Sequence, residues 1–470
     1  MTQPNINNYC HLWRLIMKKI FALFVIFVLT TTSLLAQDLF GPLSGRLEAG
    51  TYNVIGNISV EIGDSLTIDP GVTLQFYSAM SFNIYGYLYS VGTASDSIKY
   101  IKFPGGFEWS GMQIYDSASD QCAFGYCLMS DASLGAVQIN GCTVTFNHCL
   151  ITNNQGGMGP GIKCQFGGLN LTDCVITQNT ASYAGGGIYG VGQSGYDIDI
   201  NVVNCLIKDN YSNDIGGGIC LDRFVNLNIA YSVISDNQAV GNGGAIYAED
   251  ALVNMDRCTL YGNTAGGIAG GIYCENENCN NMISNSIFSE NDDVAIHFGP
   301  LGSDQMVWYT DFYTNGGGVF SGGVPEGLGE VYTVNANGDS CDALFNIFMD
   351  PLFAAVTGAS AFQLSENSPC IDAGNPNDPH DPDNTVTDMG AYFYDQTPKI
   401  VDVIIRKEGG DIVLDWSDAP GALRYFIYRS EEPYFSVAGM TPIAQTGVSE
   451  YTDTGAAGEG KYYYRVTFEY

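Results

Sequence analysis

The chain has 470 residues, too long for one ordinary globular core, so it holds either several domains or one elongated solenoid. Only 14% of residues are charged, while 58 glycines and 30 tyrosines accompany a high apolar content without heptads; this excludes a coiled coil and favours short strands joined by tight turns. The formal net charge is −33, and from Gln37 to Thr397 only 7 Lys and Arg stand against 39 Asp and Glu, so nucleic acids and acidic polysaccharides are excluded as partners unless cations bridge them.

From Met17, MKKIFALFVIFVLTTTSLLAQ carries two lysines, an apolar run from Ile20 to Leu29 and a small residue at Ala36, the layout of a secretory signal. A membrane anchor is the alternative, but the run is short and no positive stop-transfer flank follows. Residues 1–36 are therefore read as upstream sequence plus a signal, with translation starting at Met17. No second apolar span follows, so the expectation is an exported protein, secreted or at a bacterial cell surface, without a membrane span after signal removal.

Residues 37–397 read as one solenoid, with N-terminal coils over 39–120, regular repeats over 121–320 and a terminal coil over 341–395. With Cys205 as position zero, the same position holds Cys127, Cys149, Cys174, Ser232, Cys258, Ser286 and Thr310, at intervals of 22 to 31 residues. Three residues earlier and two later the column is apolar, as in Val202 and Ile207. Five later it is asparagine: Asn154, Asn179, Asn210, Asn237, Asn263, Asn291 and Asn315. A glycine-rich step ending in an aliphatic residue then closes each unit, as in Gly216–Ile219. Such a unit holds about three short strands and cannot bury its apolar face alone; stacking units about 4.8 Å apart gives parallel sheets with continuous inward ladders. The fold class is therefore all-β: a right-handed parallel β-helix. Asparagine tolerates the left-handed turn conformation, and its amide can bond to the same amide on the next coil.

Thirteen cysteines follow the leader and Cys10. Those in the zero column read as small buried apolar groups, somewhat beyond disulfide range of one another. Cys341 and Cys370 are the better candidates for a bridge.

FSEN (Phe288–Asn291) and its equivalents, paired with GGAI (Gly243–Ile246), resemble the FxxN/GGAI repeats of chlamydial polymorphic outer-membrane proteins, and more generally the pectate-lyase-like β-helix superfamily. LTIDPGVTLQF (Leu66–Phe76) resembles the first coils of bacterial surface β-helix proteins, and DPLF (Asp350–Phe353), SPCIDAGNP (Ser368–Pro376) and DMGAYFYD (Asp388–Asp395) resemble their terminal coil. The resemblance implies the fold across 39–395 and leaves activity open, since lyases, hydrolases, adhesins and proteins without known catalysis share it.

After Pro398 the pattern changes. DIVLDWSDAPGALRYFIYRS and YTDTGAAGEGKYYYRVTFEY resemble a fibronectin type III domain, a β-sandwich, with Trp416, Tyr425–Arg429 and Tyr462–Val466 on its B, C and F strands. The 398–470 stretch ends before a last strand, and the bare sheet edge this leaves calls for a partner, a neighbouring segment or further chain to cover it.

Chemistry is expected on outward residues of the strand after the glycines, where Tyr189, Tyr247 and Tyr273 alternate with Asp222, Glu249 and Glu275. Rings beside acids on an exposed face suit sugar stacking and hydroxyl hydrogen bonds, with solvated acids over packed aromatics as the plain alternative. Stacked like charges need compensation, by Arg223 or calcium. Asp378, Asp381, Asp383 and Asp388 in a proline-broken loop offer oxygen ligands suited to calcium, the alternative being a plain acidic loop. No catalytic residue is assigned. The seven basic residues of the solenoid do not cluster as a lyase requires, and Asp292 and Asp293 read as turn residues. The leading expectation is a non-enzymatic, adhesin-like protein contacting a polysaccharide or cell-surface glycan; the rival is a glycoside hydrolase or polysaccharide lyase using outward carboxylates.

Overall fold

The structure, a computed structural model, describes residues 36–276, 279–300, 305–396, 399–419, 422–433, 435–437, 439–458 and 461–469. All but the last residue of the signal-like segment lies outside them. The chain divides into two compact units, one reaching to Pro379 and taking in Val386–Phe393, the other formed by His380–Thr385 with Tyr394–Tyr470.

The first unit is a right-handed parallel β-helix with three long faces. The first face stacks eleven parallel strands, from Gly45–Leu47 to Met306–Trp308. The second and third both start on Gln37–Pro42, which pairs with the two halves of the long strand Thr51–Val60, and end at Asp311–Tyr313 and Gly318–Gly322. One coil shows why these residues form strands. Ile198–Val203 buries Ile198, Ile200 and Val202 and turns Asp199, Asn201 and Val203 outward; Leu206–Lys208 buries Ile207, and Ile219–Asp222 buries Ile219 and Leu221. Neighbouring coils pair like with like, Ile188 beside Ile219 beside Ile246.

The corners carry the specificity. The residue before position zero is left-handed in every repeat, from Tyr126 (φ 48°) through Asn204 (52°) to Tyr309 (49°). At the next corner the left-handed residue is the one before each ladder asparagine, such as Asn153, Asp209 or Gly262, and not the asparagine itself. The asparagines are placed by hydrogen bonds instead. Asn210 donates its amide to Asn237 Oδ1 at 3.0 Å and to Ile176 O at 2.9 Å, and its backbone N–H also reaches Asn237 Oδ1 at 3.0 Å. The pattern repeats without a break from Asn154 to Asn315.

Position zero works the same way, which corrects its reading as an apolar column. Cys205 Sγ accepts from Cys174 N at 3.3 Å and donates to Val203 O at 3.2 Å. Ser232 Oγ does both with Cys205 N and Ala230 O. A thiol and a hydroxyl are interchangeable here because each supplies one donor and one acceptor.

Residues 341–395 do not add a terminal coil. A short hairpin pairs Thr333–Val334 with Ser340–Cys341, and Asn346 then closes the zero column, accepting from Thr310 N at 3.0 Å and donating to Val307 O at 2.8 Å. From there the chain runs back as a strap over the outside of the second face. Phe353 and Phe362 pack on Tyr261, with Phe362 and Ala391 burying Val233. Arg257 donates to Pro379 O and Thr387 Oγ1, and Ala391 N donates to Thr259 Oγ1. Cys341 and Cys370 are not bridged. All thirteen cysteines from Cys122 to Cys370 are free and buried, and Cys370 Sγ instead donates to Asp311 Oδ2 at 3.5 Å.

The second unit holds two antiparallel sheets, compatible with a β-sandwich. Val403–Glu408, Asp411–Trp416 and Glu450–Asp453 form one; Lys399–Val401, Tyr463–Glu469, Arg424–Ser430 and Ala444–Thr446 form the other. Leu414, Trp416, Tyr425, Ile427 and Val466 make the core. Lys399–Val401 pairs antiparallel with Val466–Phe468 at one end of the second sheet.

Two outcomes follow. Asn237→Ala strips partners from Asn210 N, Asn210 Nδ2, Ile207 O and Asn263 Oδ1, and is expected to cost about 3 kcal/mol or more, given ~1–3 kcal/mol per orphaned buried group. Asn315→Ala, at the half-buried end of the ladder, is expected to cost about a third as much; urea unfolding compares them. The second concerns Asp311, fully buried where earlier coils place Leu206 or Val233. Burial pushes its carboxyl up to about 8, although the Met349 N–H and Cys370 thiol favour the charged form. The native state therefore holds a proton that the unfolded chain releases near pH 4, so stability falls as pH rises from about 4 to 8. Asp311→Asn, which mimics the protonated acid, is expected to melt higher than wild type at pH 9 and close to it at pH 4, as thermal unfolding at both would show.

Candidate functional site

The glycine step positions the residues beside it. Gly216 adopts φ +63°, and a Cβ on Gly217 would meet Gly244 O of the next coil at 2.4 Å, so only glycine lets the backbones stack there. The turn also folds back over the third face: a Cβ on Gly216 would come within 2.8 Å of Cys220 Cβ. Outward residues of this face are consequently covered. Tyr189 is 6% exposed and Tyr247 5%, both packed in one apolar cluster with Ala184 and Cys220, while Tyr273 lies at its edge.

The rings face one another and not solvent. Tyr247 stacks on Tyr273 at 5.5 Å and 11°, and Tyr273 on His297 at 4.7 Å and 7°. A ring sandwiched in this way has no free face for a sugar, which corrects the expectation of a stacking platform. His297 continues the column, its pKa lowered by burial, with Nδ1 2.8 Å from Ser321 Oγ.

The acids sit at the rim of this cluster. Tyr189 donates its hydroxyl to Asp222 Oδ2 at 2.9 Å; burial first, and then Asp222, push the phenol pKa up. Arg223 compensates the stacked carboxylates, with Nη2 2.8 Å from Glu249 Oε1 and Nε 3.7 Å from Asp222 Oδ1. Glu275 is exposed one coil further on. Hydrolysis of a glycosidic bond needs two carboxyls flanking the substrate in different environments. Here two acids on consecutive coils share one guanidinium, which is an ion-pair network on a wall.

The four loop aspartates divide between the two units. Asp378 accepts from Asn285 Nδ2 and Asn375 Nδ2, and Asp388 from Asp372 N, all within the first unit. Asp381 and Asp383 belong to the second unit, where Asp383 accepts from Thr385 and Gln396 N. Among the described residues no group of three or more His, Cys, Asp or Glu side chains comes together as a cation site. Asp292 and Asp293 are turn residues as expected, Asp293 at φ 54° accepting from Ala269 N.

One row escaped the sequence reading. On the outer side of the first face, Asn201 donates to Asn170 Oδ1 at 2.9 Å, Asn228 to Asn201 at 3.0 Å and Asn254 to Asn228 at 2.9 Å. The signal was there: each lies four residues before position zero, on the outward phase of its strand.

Tyr247→Ala is expected to cost about 3–5 kcal/mol, the range for truncating a buried aromatic residue, while Tyr247→Phe stays close to wild type. Thermal unfolding separates this from a surface residue, whose truncation would leave the melting point unchanged.

Residues 173–191 and 231–249 match the family model for the Chlamydia polymorphic membrane protein (Chlamydia_PMP) repeat. Both stretches begin at the left-handed residue before position zero and run through the ladder asparagine and glycine turn into the third face. No curated protein and no solved structure gives a significant match. The chain is thus a parallel β-solenoid carrying repeats similar to those of the Chlamydia polymorphic membrane proteins.

Proposed function

We propose that the protein acts at or beyond the cell surface as a non-enzymatic, adhesin-like binding protein that contacts glycans. The repeat match supports the surface setting, since the matching family is one of membrane proteins. The observation that carries the binding reading is the outward asparagine row on the first face: Asn170, Asn201, Asn228 and Asn254 are half-buried and supply one neutral amide per coil, about 4.8 Å apart. Each amide in the middle of the row spends one N–H on its neighbour and has a second. On a surface this acidic, a flat neutral row suits a hydroxyl-rich polymer better than a charged one. The carboxylates beside it in sequence are committed to Tyr189 and Arg223, so binding is favoured over hydrolysis.

A glycan array with the purified chain, followed by a reducing-end and unsaturated-product assay on each hit, tests this. The expected result is retention of neutral glycans without product, weakened several-fold in an Asn201→Ala/Asn228→Ala double variant. Release of shortened products, or no retained glycan at all, would overturn it.

A further inference from the structure

The strap does not lie flush against the second face. Between them is a cavity of about 310 Å³, lined by Leu206, Lys208 and Asp236 from the solenoid and by Phe362, Gln363 and Tyr392 from the strap. Loop residues Val356–Ala359 form its rim and are exposed, with side chains no larger than valine, so the mouth stays open. The volume falls at the low end of the ~300–1,000 Å³ of ligand pockets, room for about one or two sugar rings.

Its chemistry is mixed in a particular way. Leu206 and Phe362 give an apolar wall that is part of the buried cluster under the strap. Gln363 and Tyr392, both exposed, also line it, and among the described residues neither side chain has a hydrogen-bond partner, so an amide and a hydroxyl are open to a ligand. Lys208 is one of only seven basic residues between Gln37 and Thr397, yet it lies 3.0 Å from Asp209 Oδ2 and within the field of Asp236. One ammonium thus stands beside two carboxylates, so this wall carries a small net negative charge and disfavours an anionic ligand. An apolar wall, accessible amide and hydroxyl groups, and a small net negative charge together suit a neutral pyranose, with its apolar face and ring of hydroxyls, over an anionic sugar.

We infer that the cavity between strap and solenoid is a binding site for a neutral mono- or disaccharide. It is separate from the asparagine row, and its ligand class follows from its own lining. Saturation-transfer NMR on the full chain, with methyl glycosides of glucose, galactose, mannose and N-acetylglucosamine, plus lactose and methyl glucuronide, tests it without reference to the array. Transfer to at least one neutral glycoside is expected, with affinity falling at least fivefold in Gln363→Ala and in Tyr392→Phe. Both substitutions remove exposed polar groups, so melting points should stay at the wild-type value; if Tyr392→Phe shifts its melting point, Gln363→Ala alone decides. No transfer to any neutral glycoside overturns the site. Transfer to the glucuronide alone overturns the ligand class, and equal affinity in the variants moves the ligand elsewhere.

Discussion

The buried side chains at the corners of this solenoid take partners from neighbouring coils, and the zero-column thiols and hydroxyls donate within their own coil as well. A parallel stack has no crossing strands to satisfy a turn from the side, so the same chemistry has to recur at the same corner. The amide ladder from Asn154 to Asn315 meets that constraint at one corner, and the alternating thiols and hydroxyls of the zero column meet it at another. Both ladders also fix register. Slipping one coil by a residue would remove two partners from each of two buried amides and turn every inward residue outward. The core itself is tolerant by comparison, since Phe, Leu, Val, Ile and Met all serve three residues before position zero.

Regular stacking also decides where function can sit. Inward positions are committed to the ladders and core, and the glycine turn adds a less obvious commitment by folding over the third face and enclosing Tyr189, Cys220 and Tyr247. The strap encloses the second face where it runs. Most of the first face keeps its outward residues accessible, and these are mostly polar. The residues free to meet a partner are therefore those that the architecture does not need.

Column identity made the fold legible in the sequence. The asparagine column, the aliphatic column and the glycine step agree across seven or more coils, and no local fluctuation produces that. What stayed hidden has physical causes. Alternation tells on which side of a strand Tyr247 lies, but not whether a turn returns over that side. Cys205 and Ser232 share a column by hydrogen bonding, and composition shows only that both are small. The left-handed residue could not be told from its neighbour because Asn, Gln, Asp, Gly, Glu and Thr all occupy that position, and the hydrogen bonds of the asparagine, invisible in sequence, place it one residue on. The strap depends on contacts spanning more than 120 residues, such as Arg257 with Pro379 and Thr387. One hint of it did exist. Leu206, Val233 and Ile287 are apolar at outward positions, and Val233 and Ile287 are buried, which only a cover explains.

The strap also solves the problem created by ending a ladder. The last coil offers Thr310 N, Val307 O and Asp311 with no further coil to meet them, and the segment beginning at Asn346 supplies each partner in turn: an amide for the zero column, the Met349 N–H for the carboxylate, and the Cys370 thiol beside it. These three contacts pin the strap at its start and midway. Arg257, buried to 6% and bonded to Pro379 and Thr387, holds it further back along the solenoid. Between such anchors the strap is free to bow away from the sheet where its own side chains are too small to reach it, and Thr357, Gly358 and Ala359 lie at that point. A capping device that satisfies the end of a solenoid thus leaves a cavity along its side. Its shape is set by two requirements that have nothing to do with ligand, namely apolar residues such as Phe362 to hold the strap and small ones where it lifts off, while Gln363 and Tyr392 add the polar groups a sugar needs.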